Sequence, residues 1–230
     1  AAVLAGGPLA TTPGGWTAPL GIAMRADGLA ALMIAMTAGV GALVALAAAD
    51  SFGVHGHRDD TDPRIRQRTW FWPLWLLLLA GLNGLYLSAD AFNLYITLEI
   101  VGLAAVGLTA LSGTPASVRA ALTYLFAGLL GSLLFLLGVG LLYAAHGRVD
   151  LAGLGAIVTA SPAASAALVA MLVGLALKTA LFPLHFWLPP AHANAAPVAS
   201  ALLSALVVKG SLYLAIRLWL TVFPGEPAMG

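Results

Sequence analysis

The sequence contains no cysteine, and charged residues make up only 8% of it. The absence of cysteine excludes a disulfide framework, thiolate zinc sites, iron–sulfur ligation and thioether-linked haem. An ordinary soluble domain has about 25% charged residues, so this composition is not that of a soluble domain. The formal net charge of +1 gives no reason to expect nucleic acid as a partner. No glycine-rich phosphate loop is present, and we expect neither a metal site nor a bound cofactor.

Long apolar runs make up most of the chain, which is 61% hydrophobic. A run of roughly 18 or more apolar residues is typical of a helix that crosses a lipid bilayer. Six runs are of this kind: Gly28–Ala49, Trp70–Ala89, Ala91–Ser112, Ala120–Ala145, Ala163–Phe186 and Val198–Val222. The sequence therefore predicts an all-α, polytopic transmembrane bundle of about six helices, with the lipid bilayer as a partner.

The arginines are distributed unequally between the two predicted sides of the membrane. One side holds Arg58, Arg64, Arg66, Arg68 and Arg119, whereas the other holds Arg25, Arg148 and Arg217. Because loops rich in lysine and arginine stay in the cytoplasm, we expect the Arg58–Arg68 loop to be cytoplasmic. We divide the chain into residues 1–69 with one span and this basic loop, a five-helix block at 70–222, and a tail at 223–230.

Three charged residues lie inside the apolar runs: Glu99, Lys178 and Lys209, the last two being the only lysines of the chain. A charge at the centre of a spanning helix costs roughly 2.5–3.5 kcal/mol, so we expect these side chains to face the interior and to pair. One interpretation is a structural ion pair between Glu99 and Lys178. The other is a proton path, in which Glu99 modulates the proton affinity of Lys178 and Lys209 receives the proton.

A proline-rich segment separates the two lysines. Pro183 removes a backbone donor from the fifth run, and Pro189 and Pro190 are expected to stop its helix. His185 and His192 flank this break. A histidine titrates near neutral pH, so either could relay protons. The alternative for each is a side chain that satisfies a broken helix end, which we favour for His192.

Several other residues have structural interpretations. We expect Trp187 to anchor at the membrane interface, and Asp27 and Asp90 to lie at helix N-termini, which favour acids. Asp90 at an ion exit is the alternative. Three glycines permit close helix packing: Gly128, Gly131 and Gly138.

The residues also match a known family. The stretch LKTALFPLHFWLPPAHANAAPVASALLSALVVKGSLYLAIRL resembles the antiporter-like subunits shared by Mrp-type cation/proton antiporters, membrane-bound hydrogenases and respiratory complex I. DAFNLYITLEIVGLAAVGLTAL and RAALTYLFAGLLGSLLFLLGVGLLYAAHGRVDLAGL are similar to the preceding helices of that family. The resemblance covers about Gly21–Leu220 and is closest to the Mrp-type D subunit.

This resemblance implies a function and a set of residues. Glu99 and Lys178 match the family's Glu/Lys pair, Lys209 matches its connecting lysine, and the helix that carries Lys178 is broken. The implied function is proton translocation through Glu99, Lys178, Lys209 and His185, within a multi-subunit Na⁺/proton antiporter of a bacterial or archaeal plasma membrane. The implied partners are other hydrophobic subunits, protons and a monovalent cation, and no cofactor is needed.

Two departures and two alternatives accompany the resemblance. Pro190 stands where many relatives have an acid, and AAPVAS lacks one proline of the family pattern. The chain matches one half of an inverted-repeat transporter fold, without its second half. One alternative is a proton-pumping subunit of an NADH–quinone oxidoreductase or membrane-bound hydrogenase, and only then would the chain belong to an enzyme. The other is a membrane scaffold that transports nothing.

Overall fold

The computed structural model describes residues 6–16, 21–52 and 63–223. Its helices are α1 (Gly28–Ser51), α2 (Pro63–Leu87), α3 (Ala91–Thr109), α4 (Pro115–His146), α5 (Leu151–Ile157), α6 (Pro162–Lys178), α7 (Leu188–Asn194) and α8 (Pro197–Thr221). In this part of the chain, α1, α2, α3, α4 and α8 are long and apolar enough to cross a membrane. The predicted all-α membrane bundle is thus confirmed.

A small antiparallel sheet precedes the bundle and was not predicted. Strand β1 (Leu9–Thr11) pairs with β2 (Met24–Ala26), with Leu9 opposite Ala26. Asp27 follows β2 directly and begins α1, because its carboxylate accepts a hydrogen bond of 3.1 Å from the backbone N–H of Ala30. The sheet therefore fixes where α1 begins.

Side-chain caps begin several helices. Asp90 caps α3, Thr114 caps α4, Asp150 caps α5 and Ser161 caps α6, each by accepting from a backbone N–H three residues later. The segments around Asp90 and Asp150 also pair, through the Ala91 N–H donating to the Val149 carbonyl at 2.8 Å. The starts of α3 and α5 consequently lie side by side. The predicted positions of Asp27 and Asp90 at helix N-termini are confirmed.

Helices α4 and α6 pack with their backbones in close approach. A Cβ atom placed on Gly174 would lie 2.3 Å from the carbonyl oxygen of Gly131, and one on Gly138 would lie 2.7 Å from the carbonyl oxygen of Ala167. The packing role predicted for Gly131 and Gly138 is confirmed. Gly128 has no such neighbour within 4 Å, so its predicted packing role is wrong.

The predicted span Ala163–Phe186 is interrupted earlier than its prolines suggested. Helix α6 ends at Lys178, and the chain turns at Ala180, which has a left-handed φ of 56°. The Leu181 N–H then reaches back to the Ala176 carbonyl at 3.0 Å, a common closure for a helix C-terminus. The helix therefore stops five residues before Pro183.

The prolines of this segment have roles other than the predicted one. Pro183 lies in the loop after the helix end and follows a cis peptide bond. Pro189 and Pro190 lie in the first turn of α7, where proline is favoured because those N–H groups have no helical partner. The prediction that Pro189 and Pro190 stop a helix is wrong, since they begin one.

Helix α8 contains a π-helical turn at Leu203–Val207 and runs from the end of the bundle near Arg119 to the opposite end. We call these the Arg119 end and the Arg217 end.

Arg58 lies outside the described residues, and so do residues 224–230 of the predicted tail. Because α2 already begins at Pro63, Arg64, Arg66 and Arg68 belong to its first turns rather than to a loop. The division at residues 69 and 222 stays a prediction.

Candidate functional site

The two charges expected to pair are in contact in the middle of the bundle. Glu99 lies midway along α3 and Lys178 is the last residue of α6. Their Nζ and Oε1 atoms are 3.0 Å apart, and the side chains are 8% exposed for Lys178 and 19% for Glu99. Two apolar helices thus bring opposite charges together away from either end.

Helix α4 supplies a polar partner that the sequence did not single out. The Ser132 hydroxyl donates to Glu99 Oε1, the same oxygen that Lys178 contacts. It also lies 3.0 Å from the Gly128 carbonyl oxygen one turn earlier. Because a hydroxyl donates one hydrogen bond at a time, Ser132 can either hold the carboxylate or release it.

A small cavity adjoins the ion pair. Its volume is about 10 Å³, and its lining includes Glu99, Lys178, Tyr124 and Gly128. That volume is about the least that a water molecule needs. Gly128 therefore borders the cavity beside the pair, which is a role that helix-packing reasoning missed.

Two aromatic rings lie over the broken end of α6. Tyr124 and Trp187 stack with centroids 4.3 Å apart and planes 6° from parallel. The Trp187 Nε1–H donates to the Leu177 carbonyl at 2.8 Å, and Trp187 is only 1% exposed. The predicted interfacial position of Trp187 is wrong, because its indole is buried against the C-terminus of α6 and donates to a carbonyl that also accepts from the Ala180 N–H.

Lys209 does not join the ion pair. Ser211, two residues later on α8, faces α6, and its hydroxyl accepts a 2.9 Å hydrogen bond from the Thr179 hydroxyl. Residues two apart on a helix point in nearly opposite directions, so Lys209 is exposed on the surface of this chain and donates to the Ser204 carbonyl in the π-helical turn. The expectation that Lys209 faces the interior is wrong for this reason.

The two histidines of the break are also apart from the pair. His185 is exposed, and its ring centroid lies 5.7 Å from that of Phe182. His192 is half-buried, with Nδ1 2.7 Å from the Ser200 hydroxyl, so it ties α7 to α8. The structure thus brings Glu99 and Lys178 together and leaves Lys209, His185 and His192 at other places.

Helices that span a bilayer, with a partly buried Glu–Lys pair at the end of a broken helix, define a multi-pass membrane protein with an intramembrane ionic site. Such a site is a functional candidate by default, because lipid penalises isolated charges. The chain belongs to the NADH:quinone oxidoreductase/Mrp antiporter transmembrane family, whose model matches residues 88–229.

Curated relatives come from both branches that this family name joins. The chain is 34% identical over 218 residues to the D subunit of the Na⁺/H⁺ antiporter of Bacillus subtilis, covering 94% of this chain and 42% of the relative. It is 39% identical over 207 residues to the N subunit of the NADH-quinone oxidoreductase of Desulforudis audaxviator, covering 89% and 40%. The chain therefore spans about two fifths of the length of these relatives.

Solved structures agree with this placement. A chain of the Mrp complex from Dietzia sp. matches with a TM-score of 0.80 at 29% identity, covering 94% of this chain and 39% of the other. A chain of an archaeal membrane-bound sulfane sulfur reductase matches with a TM-score of 0.79 at 33% identity, covering 92% and 42%. The fold of this chain is that of antiporter-like membrane subunits.

Proposed function

We propose that the chain is part of the proton-translocating membrane subunit of a multi-subunit Na⁺/proton antiporter. The observation that carries the proposal is the partly buried contact of 3.0 Å between Lys178 Nζ and Glu99 Oε1 beside a water-sized cavity. A lysine is chemically suited to the task because its amine can gain and lose a proton when its surroundings change.

The proposed switch is the Glu99 carboxylate, which stabilises the ammonium form of Lys178 while the two are in contact. When Glu99 is held by Ser132 alone, that stabilisation is lost and Lys178 releases its proton. The position of Lys178 supports this role, since the α6 C-terminus leaves carbonyl oxygens that favour a cation. A water in the cavity that Tyr124 lines would carry the proton to or from the pair.

Onward transfer involves α8 in this proposal. The hydrogen-bonded hydroxyls of Thr179 and Ser211 connect the residue after Lys178 to α8. Lys209 and His185 are further members of the proposed path. Both are exposed, so they would carry the proton at the surface of the chain. An exposed lysine midway along a spanning helix is costly in lipid, which supports the view that other protein covers this face.

The proposed partners follow from the relatives. The D subunit of an Na⁺/H⁺ antiporter and a chain of an Mrp complex are among them, so we propose other hydrophobic membrane subunits, protons and a monovalent cation. The membrane is the bacterial or archaeal plasma membrane, with the Arg119 end and the arginines of the 58–68 segment in the cytoplasm. No bound cofactor enters this proposal.

A second candidate function is redox-driven proton pumping. The 39% identity to the N subunit of an NADH-quinone oxidoreductase favours it, and the same Glu–Lys pair would serve. Redox centres would then lie on other chains, so co-purification with iron–sulfur proteins would support this candidate, whereas small hydrophobic antiporter subunits would support the first. A scaffold that transports nothing is the third.

The test replaces Lys178 by arginine in the intact parent complex. Arginine keeps the positive charge opposite Glu99 but is never deprotonated in proteins, so the ion pair persists while the proton carrier is lost. We expect the pH change that Na⁺ or K⁺ pulses cause in inverted vesicles to disappear in Lys178→Arg and in Lys178→Ala, with Lys178→Arg assembling normally.

Normal transport by Lys178→Arg would show that the pair is structural and would favour the scaffold. Gly140→Ala is a suitable control, because Gly140 is exposed and no atom lies within 4 Å of the added carbon. Its transport and assembly should match the wild type.

A further inference from the structure

A second buried charge lies at the Arg217 end, apart from the Glu–Lys pair. The Arg217 side chain is 8% exposed. Its guanidinium forms two hydrogen bonds to the Asp27 carboxylate, one of them 2.8 Å long from Nη2 to Oδ1. The Tyr213 hydroxyl accepts from Nε at 3.1 Å and from Nη2 at 2.7 Å, and donates to the Tyr86 carbonyl at 2.8 Å. The cluster joins α1, α2 and α8.

This cluster lies between an external cavity and the helix break. A cavity of about 310 Å³ is lined by Arg217 together with Arg25, Ser88 and Thr221. Further into the bundle, the Tyr86 and Tyr213 rings meet edge to face with centroids 5.0 Å apart. Ser211 lies six residues before Arg217, about 9 Å along the helix, and bonds Thr179 beside Lys178. A proton entering at this end would meet Arg217 first.

We propose that the Arg217 guanidinium is an electrostatic plug that closes the Arg217 end of the α2–α8 interface to protons, so that water at the Arg119 end, and not at the Arg217 end, exchanges protons with Lys178. This inference rests on the proposed function of Lys178. A fixed arginine in a narrow passage repels protons and other cations. The tyrosine rings behind it are buried, with Tyr86 0% and Tyr213 3% exposed, which disfavours a continuous chain of water molecules.

The charges around Arg217 support a positive barrier. Asp27 is its one contacting anion among the described residues, and Arg25 lies 3.6 Å from that same carboxylate, so two cations share one anion. The hydrogen bonds from Arg217 lower the pKa of Asp27 to about 2. The Asp27 carboxylate therefore stays ionised at working pH and does not take up protons that approach the plug. Farther along this end, Asp150 is paired with Arg148 at 2.8 Å.

The experiment measures passive proton leak, without any driving cation, in proteoliposomes that hold the full-length protein and its co-purifying subunits. Arg217→Gln removes the charge and the bonds to Asp27. Asp27→Asn weakens the same bonds and leaves the charge in place. We expect Arg217→Gln to speed the decay of an imposed pH gradient roughly tenfold or more, which is the size of effect that a nearby charge produces at low effective dielectric. Asp27→Asn and Arg217→Lys should stay near wild type.

Arg217→His allows the charged and the neutral state of residue 217 to be compared in one and the same variant, by changing the pH. A histidine titrates near pH 6.5, and the groups facing it would be Asp27, Arg25, Tyr213 and Tyr86. We expect this variant to leak at pH 8, where the imidazole is neutral, and to seal at pH 5.5, where it is charged. Wild type should show no such difference, since arginine stays protonated across that range.

Three outcomes would overturn the plug. The first is that Arg217→Gln adds no leak. The second is that Arg217→Gln and Asp27→Asn leak equally, which would make the cluster only an anchor for α1. The third is that the leak of Arg217→Gln persists when Lys178→Ala is added. The proposed function is tested separately, by measuring cation-driven transport in Lys178→Arg with Arg217 intact. The plug can therefore fail while the proposed function of Lys178 stands.

Discussion

At the scale of single residues, Asp90 and Asp150 cap neighbouring helices but differ in how their charges are compensated. Burial raises the pKa of Asp90, and the nearby carboxylate of Asp150 raises it further against the effect of two backbone hydrogen bonds. Burial also raises the pKa of Asp150, but the hydrogen bonds from Arg148 and from the Gly153 N–H lower it overall. Asp90 thus carries the poorly compensated charge.

Replacing Asp90 by asparagine should therefore stabilise the protein at alkaline pH. Asparagine caps a helix as well as aspartate does, so the bond to the Asn93 N–H is kept while the repulsion from Asp150 is removed. Since folding raises the pKa of Asp90, its charge costs stability above the folded pKa, and that cost fades as the pH falls toward 3.8. We expect a gain of at most about 1 kcal/mol at pH 8, measured by thermal unfolding in detergent.

The comparison for this prediction is Asp150→Asn, which gives up the charge that Arg148 contacts. It should lower the unfolding temperature at pH 8, opposite in sign to Asp90→Asn. A gain in Asp90→Asn that is equally large at pH 4 would contradict the electrostatic explanation.

The sequence predicted some site residues and missed others for a physical reason. Glu99 and Lys178 were predictable because a charge in an apolar run must find a partner. Ser132 and Trp187 were not, because their roles depend on which distant backbone group they meet. The position of Lys209 was predicted wrongly, since depth in a span does not tell which face of the helix a residue occupies.

At the scale of elements, the contact between α4 and α6 positions the ion pair. The carbonyl of Gly131 fills the place where a side chain on Gly174 would begin, and Gly174 lies one turn before Lys178. Gly174→Ala would therefore push α6 away from α4 and move Lys178 relative to Glu99. We expect a loss of about 1–3 kcal/mol, as for other overpacked sites, together with reduced cation-dependent transport.

The matched control is Gly140→Ala on α4, where the added methyl group meets no atom within 4 Å. Alanine favours helix over glycine by up to about 1 kcal/mol, so this variant should unfold at an equal or higher temperature. If Gly174→Ala also kept full stability and transport, the close approach of α4 and α6 would not be what positions Lys178.

Hydropathy predicted most of the helices but not the end of α6 at Lys178, which positions the ion pair. The five long helices follow from their apolar length, because lipid requires each backbone polar group to be bonded within a helix. The stop at Lys178 had no sequence signal, since Ala180 rather than glycine takes the left-handed φ of 56°. The prolines predicted a break in the correct segment but at the wrong residue.

At the scale of the whole molecule, the ion pair lies between two ends of the bundle that differ in the access they give protons to Lys178. The Arg119 end has an open cavity of about 410 Å³ whose lining includes Arg119, Thr123 and Asn194. The Arg217 end also has an external cavity, of about 310 Å³, but the buried guanidinium and its tyrosines lie between that cavity and Lys178. If both proposals hold, this part of the protein is a half-channel that opens on one side of the membrane only.

The side on which the half-channel opens can be measured directly with single introduced cysteines, since this chain has none of its own. Ala116 is exposed at the Arg119 end, and Ala160 is exposed in the segment between α5 and α6 at the opposite end. Arginine-rich segments remain cytoplasmic, so a membrane-impermeant maleimide should label Ala160→Cys in intact cells and Ala116→Cys only in inverted vesicles or after permeabilisation. Transport activity of each variant confirms that the label reports the native orientation. The reverse pattern would place the Arg217 end in the cytoplasm, and Lys178 would then exchange protons with the outside.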